Sequence, residues 1–179
     1  KQFLNPTNPY SASKAAADMI VNAYKKSYNM NISSLRANNI YGTRQYPEKL
    51  IPKTIFCLLT KKKMPIHGDG NNYRHYLSVD DFCDGVIKII ENGKLNEIYN
   101  ISSDRSYKVK DIVKIIAKNL NKDFKSNIKF VQDRPFNDKI YKINCTKLKK
   151  LNWKVKRNLI NDISIICDWY KSNVNLFIK

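Results

Sequence analysis

The run Asn8-Pro9-Tyr10-Ser11-Ala12-Ser13-Lys14 leaves its backbone little choice. Asparagine accepts hydrogen bonds from the first free helical N–H groups, and proline at the next position is pre-set for a helix without losing a needed donor. The pattern predicts a helix from Pro9 to about Tyr28, with Ala16, Met19, Ile20, Ala23 and Tyr24 at helical spacing. Tyr10 and Lys14 then stand one turn apart and point the same way. An ammonium close to a phenol favours the phenolate, so the pair can act as a base toward a hydroxyl. With 11 tyrosines and a lysine-rich composition, roughly one or two Tyr-x-x-x-Lys pairs arise by chance, so the weight rests on the cap, the proline and the small residues that follow.

Downstream, short apolar runs alternate with helical stripes. Ile32 to Arg36 reads as a strand, and Ala37 to Gly42 as the loop at its end, where ligands meet α/β sheets. A helix is expected over Ile51 to Lys61, extended pieces at Pro65-Ile66-His67 and His75 to Leu77, and a turn at Gly68-Asp69-Gly70-Asn71-Asn72. Ser78-Val79-Asp80-Asp81 resembles a capping box with aspartate in place of glutamate, opening a helix striped by Phe82, Val86, Ile89 and Ile90 and stopped at Asn92-Gly93. Strands are expected at Ile98 to Ile101 and Ile128 to Val131. Helices are expected along Val109, Ile112, Val113, Ile116 and Leu120, from a Thr146 cap to about Leu151, and along Leu159, Ile163, Ile166, Cys167 and Tyr170.

Composition narrows the function classes. No apolar run nears the roughly 18 residues of a membrane helix, so no membrane partner is expected. Cys57, Cys83, Cys145 and Cys167 lie far apart with no Cys-x-x-Cys pair, so neither a metal site nor a disulfide framework is suggested, and a reducing, cytoplasmic setting fits. The formal net charge of +18 invites a nucleic-acid reading, but the lysines are scattered and arginine is scarce, so no nucleic-acid partner is expected. Of the five glycines, none forms the phosphate-binding fingerprint of a dinucleotide fold, because Tyr73 stands where Gly68-x-Gly70 would need its third glycine. The Tyr-Lys helix thus occurs without the cofactor cradle it would serve, and the chain is expected to be the C-terminal portion of a longer enzyme.

Taken in order, Tyr10-x-x-x-Lys14, Leu35 to Gly42, Tyr46-Pro47-Glu48-Lys49-Leu50-Ile51-Pro52, Pro65 to Gly70, Arg74, Tyr99-Asn100-Ile101 and Asp133-Arg134-Pro135-Phe136-Asn137-Asp138 resemble the nucleotide-sugar 4,6-dehydratases. These belong to the extended short-chain dehydrogenase/reductase superfamily. The Pro-Phe-Asn-Asp form of the last motif is more similar to the UDP-glucose module of rhamnose synthases than to the dTDP-glucose enzymes. The resemblance implies an α/β fold: the C-terminal part of a doubly wound parallel, Rossmann-like sheet with a smaller α/β substrate-binding domain. It implies NAD as cofactor and a nucleoside-diphosphate sugar as substrate, dehydrated to a 4-keto-6-deoxyglucose derivative on the route to rhamnose-type sugars. Tyr10 and Lys14 would be catalytic and also contact the cofactor, with Ile40 beside it. Asn39, Glu48, Lys49, Leu50, Pro65, Ile66, His67, Arg74, Asn100, Asp133, Arg134 and Asn137 would bind the substrate, Arg74 and Arg134 gripping its diphosphate.

In such enzymes the acid and base of the elimination step lie upstream of the tyrosine helix, so the resemblance implies that they are not in this sequence. Residues 1–66 are expected to end the dinucleotide-binding domain and 67–179 to form most of the substrate domain, the chain weaving between them. The Tyr-Lys helix suits a homodimer contact, and its surface is equally compatible with packing against the rest of a longer enzyme. A dTDP-glucose 4,6-dehydratase, an epimerase or decarboxylase on the same scaffold, and a non-catalytic sugar-nucleotide-binding fragment remain the alternatives.

Overall fold

The computed structural model describes residues 5–135, 139 and 143–177. Helix α1 (Pro9–Ser27) begins as its sequence dictates: the Asn8 side chain accepts from Ser11 N at 2.9 Å, and Ser11 Oγ accepts from Asn8 N at 3.1 Å. Strand β1 (Ser34–Ala37) follows, then β2 (Asn39–Tyr41), α2 (Leu50–Leu59), β3 (Met64–His67), β4 (Tyr73–Ser78), α3 (Val79–Asn92) and β5 (Ile98–Ile101). The remainder is β6 (Ser106–Lys108), α4 (Val109–Asn119), α5 (Phe124–Asn127), β7 (Ile128–Val131), α6 (Thr146–Lys149), α7 (Leu159–Asn173) and a 3-10 turn at Val174–Phe177.

The strands form three small sheets. β1 pairs in parallel with β5, Ala37 opposite Ile101, and β3 pairs in parallel with β7, His67 opposite Val131. In the third sheet β4 lies between β2, parallel to it, and β6, antiparallel. Only Asn38 separates β1 from β2, so the chain leaves one sheet and enters another across a single residue.

Helices α2, α4 and α7 pack together over the β2–β4 sheet. Ile55, Leu58, Ile112, Ile116 and Ile163 are fully enclosed there with Tyr41 and Tyr170. Each such isoleucine or leucine contributes about 1.5–3 kcal/mol of burial. A second cluster joins Met64, Ile66, Val113 and Ile128 between α4 and the β3–β7 pair. A third sets Leu77, Tyr99 and Ile101 against Leu148 and Trp153. Gly85 in α3 faces this third cluster, and a Cβ there would stand 2.3 Å from Ile101 Cδ1.

Four local expectations need correction. Residues 39–41, expected within a loop, form β2, because β4 supplies their hydrogen-bond partners. Ile90, expected in the apolar stripe of α3, is exposed because the helix turns that position away from the third cluster. Cys145, not Thr146, occupies the cap of α6. Ser78 does cap α3 through Asp81 N, but the Asp81 carboxylate does not reach back to complete a box. It accepts instead from the backbone N–H groups of Lys156 and Arg157, at 3.0 Å each, which tie the approach to α7 to α3.

Candidate active site

In open α/β sheets ligands gather beyond the carboxyl ends of parallel strands. In β1 and β5 those ends are Ala37 and Ile101, and a polar network follows directly. Asn38 N donates to Ile101 O at 3.3 Å, and Asn38 Nδ2 to Ser102 Oγ at 2.8 Å. Ser102 Oγ in turn donates to Ser103 O, which lies 2.9 Å from His75 Nδ1. Asn39 Nδ2 donates to His75 O at 3.1 Å. The network joins the ends of two sheets around Asn39 and places Arg74 one residue away on β4.

Arg74 is half-buried, its Nη1 donating to Tyr73 O at 2.8 Å. Tyr73 N donates to Lys139 O at 2.8 Å, so the chain beyond β7 returns to the start of β4. At the end of the β3–β7 pair, His67, Asp133 and Arg134 meet around an open groove of about 430 Å³, completed by Gln132 and Pro135. His67 Nδ1 lies 3.2 Å from Gln132 O, and Asp133 Oδ1 accepts from Arg134 N at 2.8 Å. Gly68, at φ 59°, makes the turn beside them possible, since a Cβ there would stand 2.8 Å from Asp133 Oδ2.

Glu48 and Lys49 lie exposed just before α2, paired with each other at 3.0 Å, and Leu50 begins the helix. Pro65 is half-buried in β3, whereas the Ile66 side chain belongs to the second core cluster. Ile40 is half-buried in β2. Asn100 on β5 bonds Asn144 O at 3.2 Å. Asn137 lies outside the described residues.

Tyr10 and Lys14 stand on the first turns of α1, both exposed. None of the helix's 19 residues is buried, and Met19, Ile20 and Tyr24 are exposed along it. An ion pair from Asp18 to Arg36 at 2.6 Å and a bond from Lys25 Nζ to Asn96 O at 2.8 Å fasten it to β1 and to the segment before β5. Neither Tyr10 nor Lys14 has a side-chain partner among the described residues.

A second network, absent from the sequence reading, lies behind β2. Tyr41 donates its hydroxyl to Asp162 Oδ2 at 2.7 Å, and Arg157 pairs with the same carboxylate at 3.0 Å. Burial, that hydrogen bond and the nearby Asp162 and Asp81 carboxylates push the Tyr41 phenol well above its ordinary value. The available signal is spacing: Asp162 sits on the Leu159, Ile163, Ile166 stripe of α7, where an unpaired charge has no place. Among the described residues no three His, Cys, Asp or Glu side chains cluster as metal ligands, and no helix is long and apolar enough to cross a membrane.

An α/β chain whose parallel strands end in a polar network, beside arginines on β4 and after β7, has the organisation of a Rossmann-type fold. Residues 1–164 match the GDP-mannose 4,6 dehydratase family, and the chain belongs to it. It is 43% identical over 170 residues to a trifunctional UDP-glucose 4,6-dehydratase/UDP-4-keto-6-deoxy-D-glucose 3,5-epimerase/UDP-4-keto-L-rhamnose-reductase of Arabidopsis thaliana, covering 95% of this chain and 26% of that one. It is 39% identical over 213 residues to the dTDP-D-glucose 4,6-dehydratase of Dictyostelium discoideum, covering 100% of this chain and 49% of the relative. Among solved structures, DesIV, the dTDP-glucose 4,6-dehydratase of Streptomyces venezuelae with NAD and TYD bound, superposes with a TM-score of 0.91 at 30% identity over 97% of this chain and 54% of that one. The Bacillus anthracis dTDP-glucose 4,6-dehydratase in complex with NAD gives 0.85 at 37% identity, over 96% and 54%. The chain therefore spans between about a quarter and about half of these proteins' lengths.

Proposed function

We propose that the protein is an NAD-dependent nucleotide-sugar 4,6-dehydratase acting on UDP-glucose, to which this chain contributes the Tyr-Lys helix and most of the substrate-binding domain. The observation that carries the reading is the Tyr10–Lys14 pair, unpartnered on an unburied helix in a chain of this family. In this reading Tyr10 takes the proton of the sugar hydroxyl as general base, with the Lys14 ammonium one helical turn away on the same face of α1. NAD supplies the group that accepts a hydride and later returns it. Lys14 and Tyr10 fit such a cofactor because both side chains project from α1 with their donor groups unclaimed.

Arg74 and Arg134 hold the diphosphate by paired guanidinium bonds, with Asn39 and Asn100 beside them. The groove of His67, Asp133 and Arg134 receives the nucleoside end, and the Glu48–Lys49–Leu50 segment is assigned to the nucleotide as well. Residues 1–66 close the cofactor domain and 67–179 form most of the substrate domain. A second copy covers Met19, Ile20 and Tyr24 on α1 to make a homodimer. The four free thiols support a cytoplasmic setting.

UDP-glucose is favoured over dTDP-glucose by the 43% identity to the plant enzyme, against 39% for the Dictyostelium one. The full-length gene product, given UDP-glucose and dTDP-glucose in parallel, is expected to form a 4-keto-6-deoxy product that absorbs in alkali, faster from UDP-glucose. Tyr10→Phe should lower turnover about 10²- to 10⁴-fold, the usual worth of a general base, with folding unchanged by circular dichroism. Normal turnover by that variant overturns the catalytic assignment, and equal or reversed rates on the two sugars overturn the substrate assignment.

A further inference from the structure

Residues 39–50 carry five of the candidate site residues, Asn39, Ile40, Glu48, Lys49 and Leu50, yet only 39–41 lie in a strand and only Leu50 in a helix. What holds the intervening loop is helix α7 and the turn after it, more than a hundred residues away in sequence. At the loop's start, Tyr41 donates to Asp162 on the first turn of α7 at 2.7 Å. Two turns further along, Tyr170 donates its hydroxyl to the carbonyl of Gln45. Beyond the helix, Phe177 packs edge-on against Tyr46 with ring centroids 6.4 Å apart, and against Tyr170 at 5.7 Å. Gln45 Nε2 donates to Ile40 O at 2.7 Å and closes the loop on itself.

We infer that α7 with its terminal turn is the positioning element of the nucleotide-binding loop, and that Tyr170, through Gln45, sets the affinity for the nucleoside diphosphate. The inference rests on the functional reading above. Tyr170 is buried with its ring against Trp169 and Phe177, so its hydroxyl has a fixed direction. Gln45 has its side chain committed to Ile40 and its carbonyl to Tyr170, so the peptide before Tyr46 is held from both ends. Glu48 and Lys49 follow three and four residues later, and Glu48 N and Lys49 N both donate to Tyr46 O, at 2.8 and 3.4 Å. Displacement of residue 46 therefore carries Glu48 and Lys49 with it. Neither Tyr170 nor Phe177 belongs to the set that would touch the ligand.

The test uses the full-length protein, its Tyr170→Phe variant, and Ile163→Val as a control that trims the buried face of the same helix at a side chain that makes no hydrogen bond to the loop. UDP affinity is measured by calorimetry and amide exchange by mass spectrometry. Tyr170→Phe keeps the ring stack and removes one hydrogen bond, so it is expected to weaken UDP binding roughly two- to tenfold and to speed exchange across residues 44–50. Ile163→Val is expected to change neither. Unchanged UDP affinity in Tyr170→Phe overturns the inference while leaving the functional reading intact, and so does an equal loss in Ile163→Val. A wild-type protein that binds neither UDP nor dTDP overturns the functional reading and this inference with it.

Discussion

The hydroxyl of Tyr41 offers a quantitative test of how the loop is anchored. Tyr41→Phe removes one oxygen from a ring that is 3% exposed and keeps the rest of its packing, so no sizeable cavity contributes. What is lost is a 2.7 Å hydrogen bond to an ionised carboxylate, a class worth about 1.5–3 kcal/mol. Asp162 keeps Arg157, at 3.0 Å from Nη2 and 3.3 Å from Nε, so it is not left as a bare buried charge. That places the expected loss toward the lower end, about 2 kcal/mol, or about 4–8 °C in the midpoint of a domain of this size. In an Asp162→Asn background the bond is between neutral partners, and the same deletion should cost about 1 kcal/mol. Urea or thermal unfolding of the wild type, both single variants and the double variant therefore yields a coupling of about 1 kcal/mol. A Tyr41→Phe loss under about 0.5 kcal/mol, or an equal loss in both backgrounds, refutes the claim that a charge-assisted bond anchors β2.

High pH should unfold the protein early, because burial raises the Cys167 thiol from 9.0 to about 11 and the Tyr170 phenol from 10.0 to about 12. Both are neutral when protonated and both values are raised in the folded state, so above the unfolded values the unfolded chain releases protons that the folded one retains. Stability is then complete below about pH 9 and falls as pH rises through 9 to 12; a thermal midpoint constant from pH 8 to 11 contradicts this. Gly85→Ala should destabilise by about 1–3 kcal/mol, since the new methyl meets Ile101 Cδ1 at 2.3 Å and Trp153 Nε1 at 3.2 Å, and a neutral effect on urea unfolding would show that the third cluster can yield.

Helices with a periodic stripe and a definite start were legible from the residues. Asn8 and Pro9 mark the first turn of α1, and the stripes at Ile112 and Ile116 and at Ile163, Ile166 and Cys167 are the faces that pack together, while Val113 turns to the second cluster. Three-residue strands were not: Ser106–Lys108 carries no apolar alternation and is a strand only because β4 lies beside it, and β2 owes its state to the same neighbour. At the candidate site, local pattern marks the turn at Gly68 and the residue types, but not their partners. That Asn39 reaches His75 O, or that Asp133 and His67 share a groove, depends on pairings between segments far apart in sequence. Buried carboxylates were the hardest to place: Asp81 reads only as the end of a capping box and the sequence reading does not single out Asp162, whereas in the fold Lys156, Arg157 and Tyr41 satisfy them.

Asp162 meets the fold where register is least secured, at β2. A strand of three residues has few ladder bonds to resist a slip, and a one-residue shift would turn every side chain to the opposite face. In β2 such a shift would carry Tyr41 away from Asp162 and Asn39 away from His75 O at once. An apolar pair at 41 and 162 could pack nearly as well in more than one register, whereas a hydroxyl and a carboxylate at 2.7 Å are satisfied in one. The polar pair therefore contributes definition as well as stability, and the definition falls on the strand that aims Asn39 at the end of the sheets.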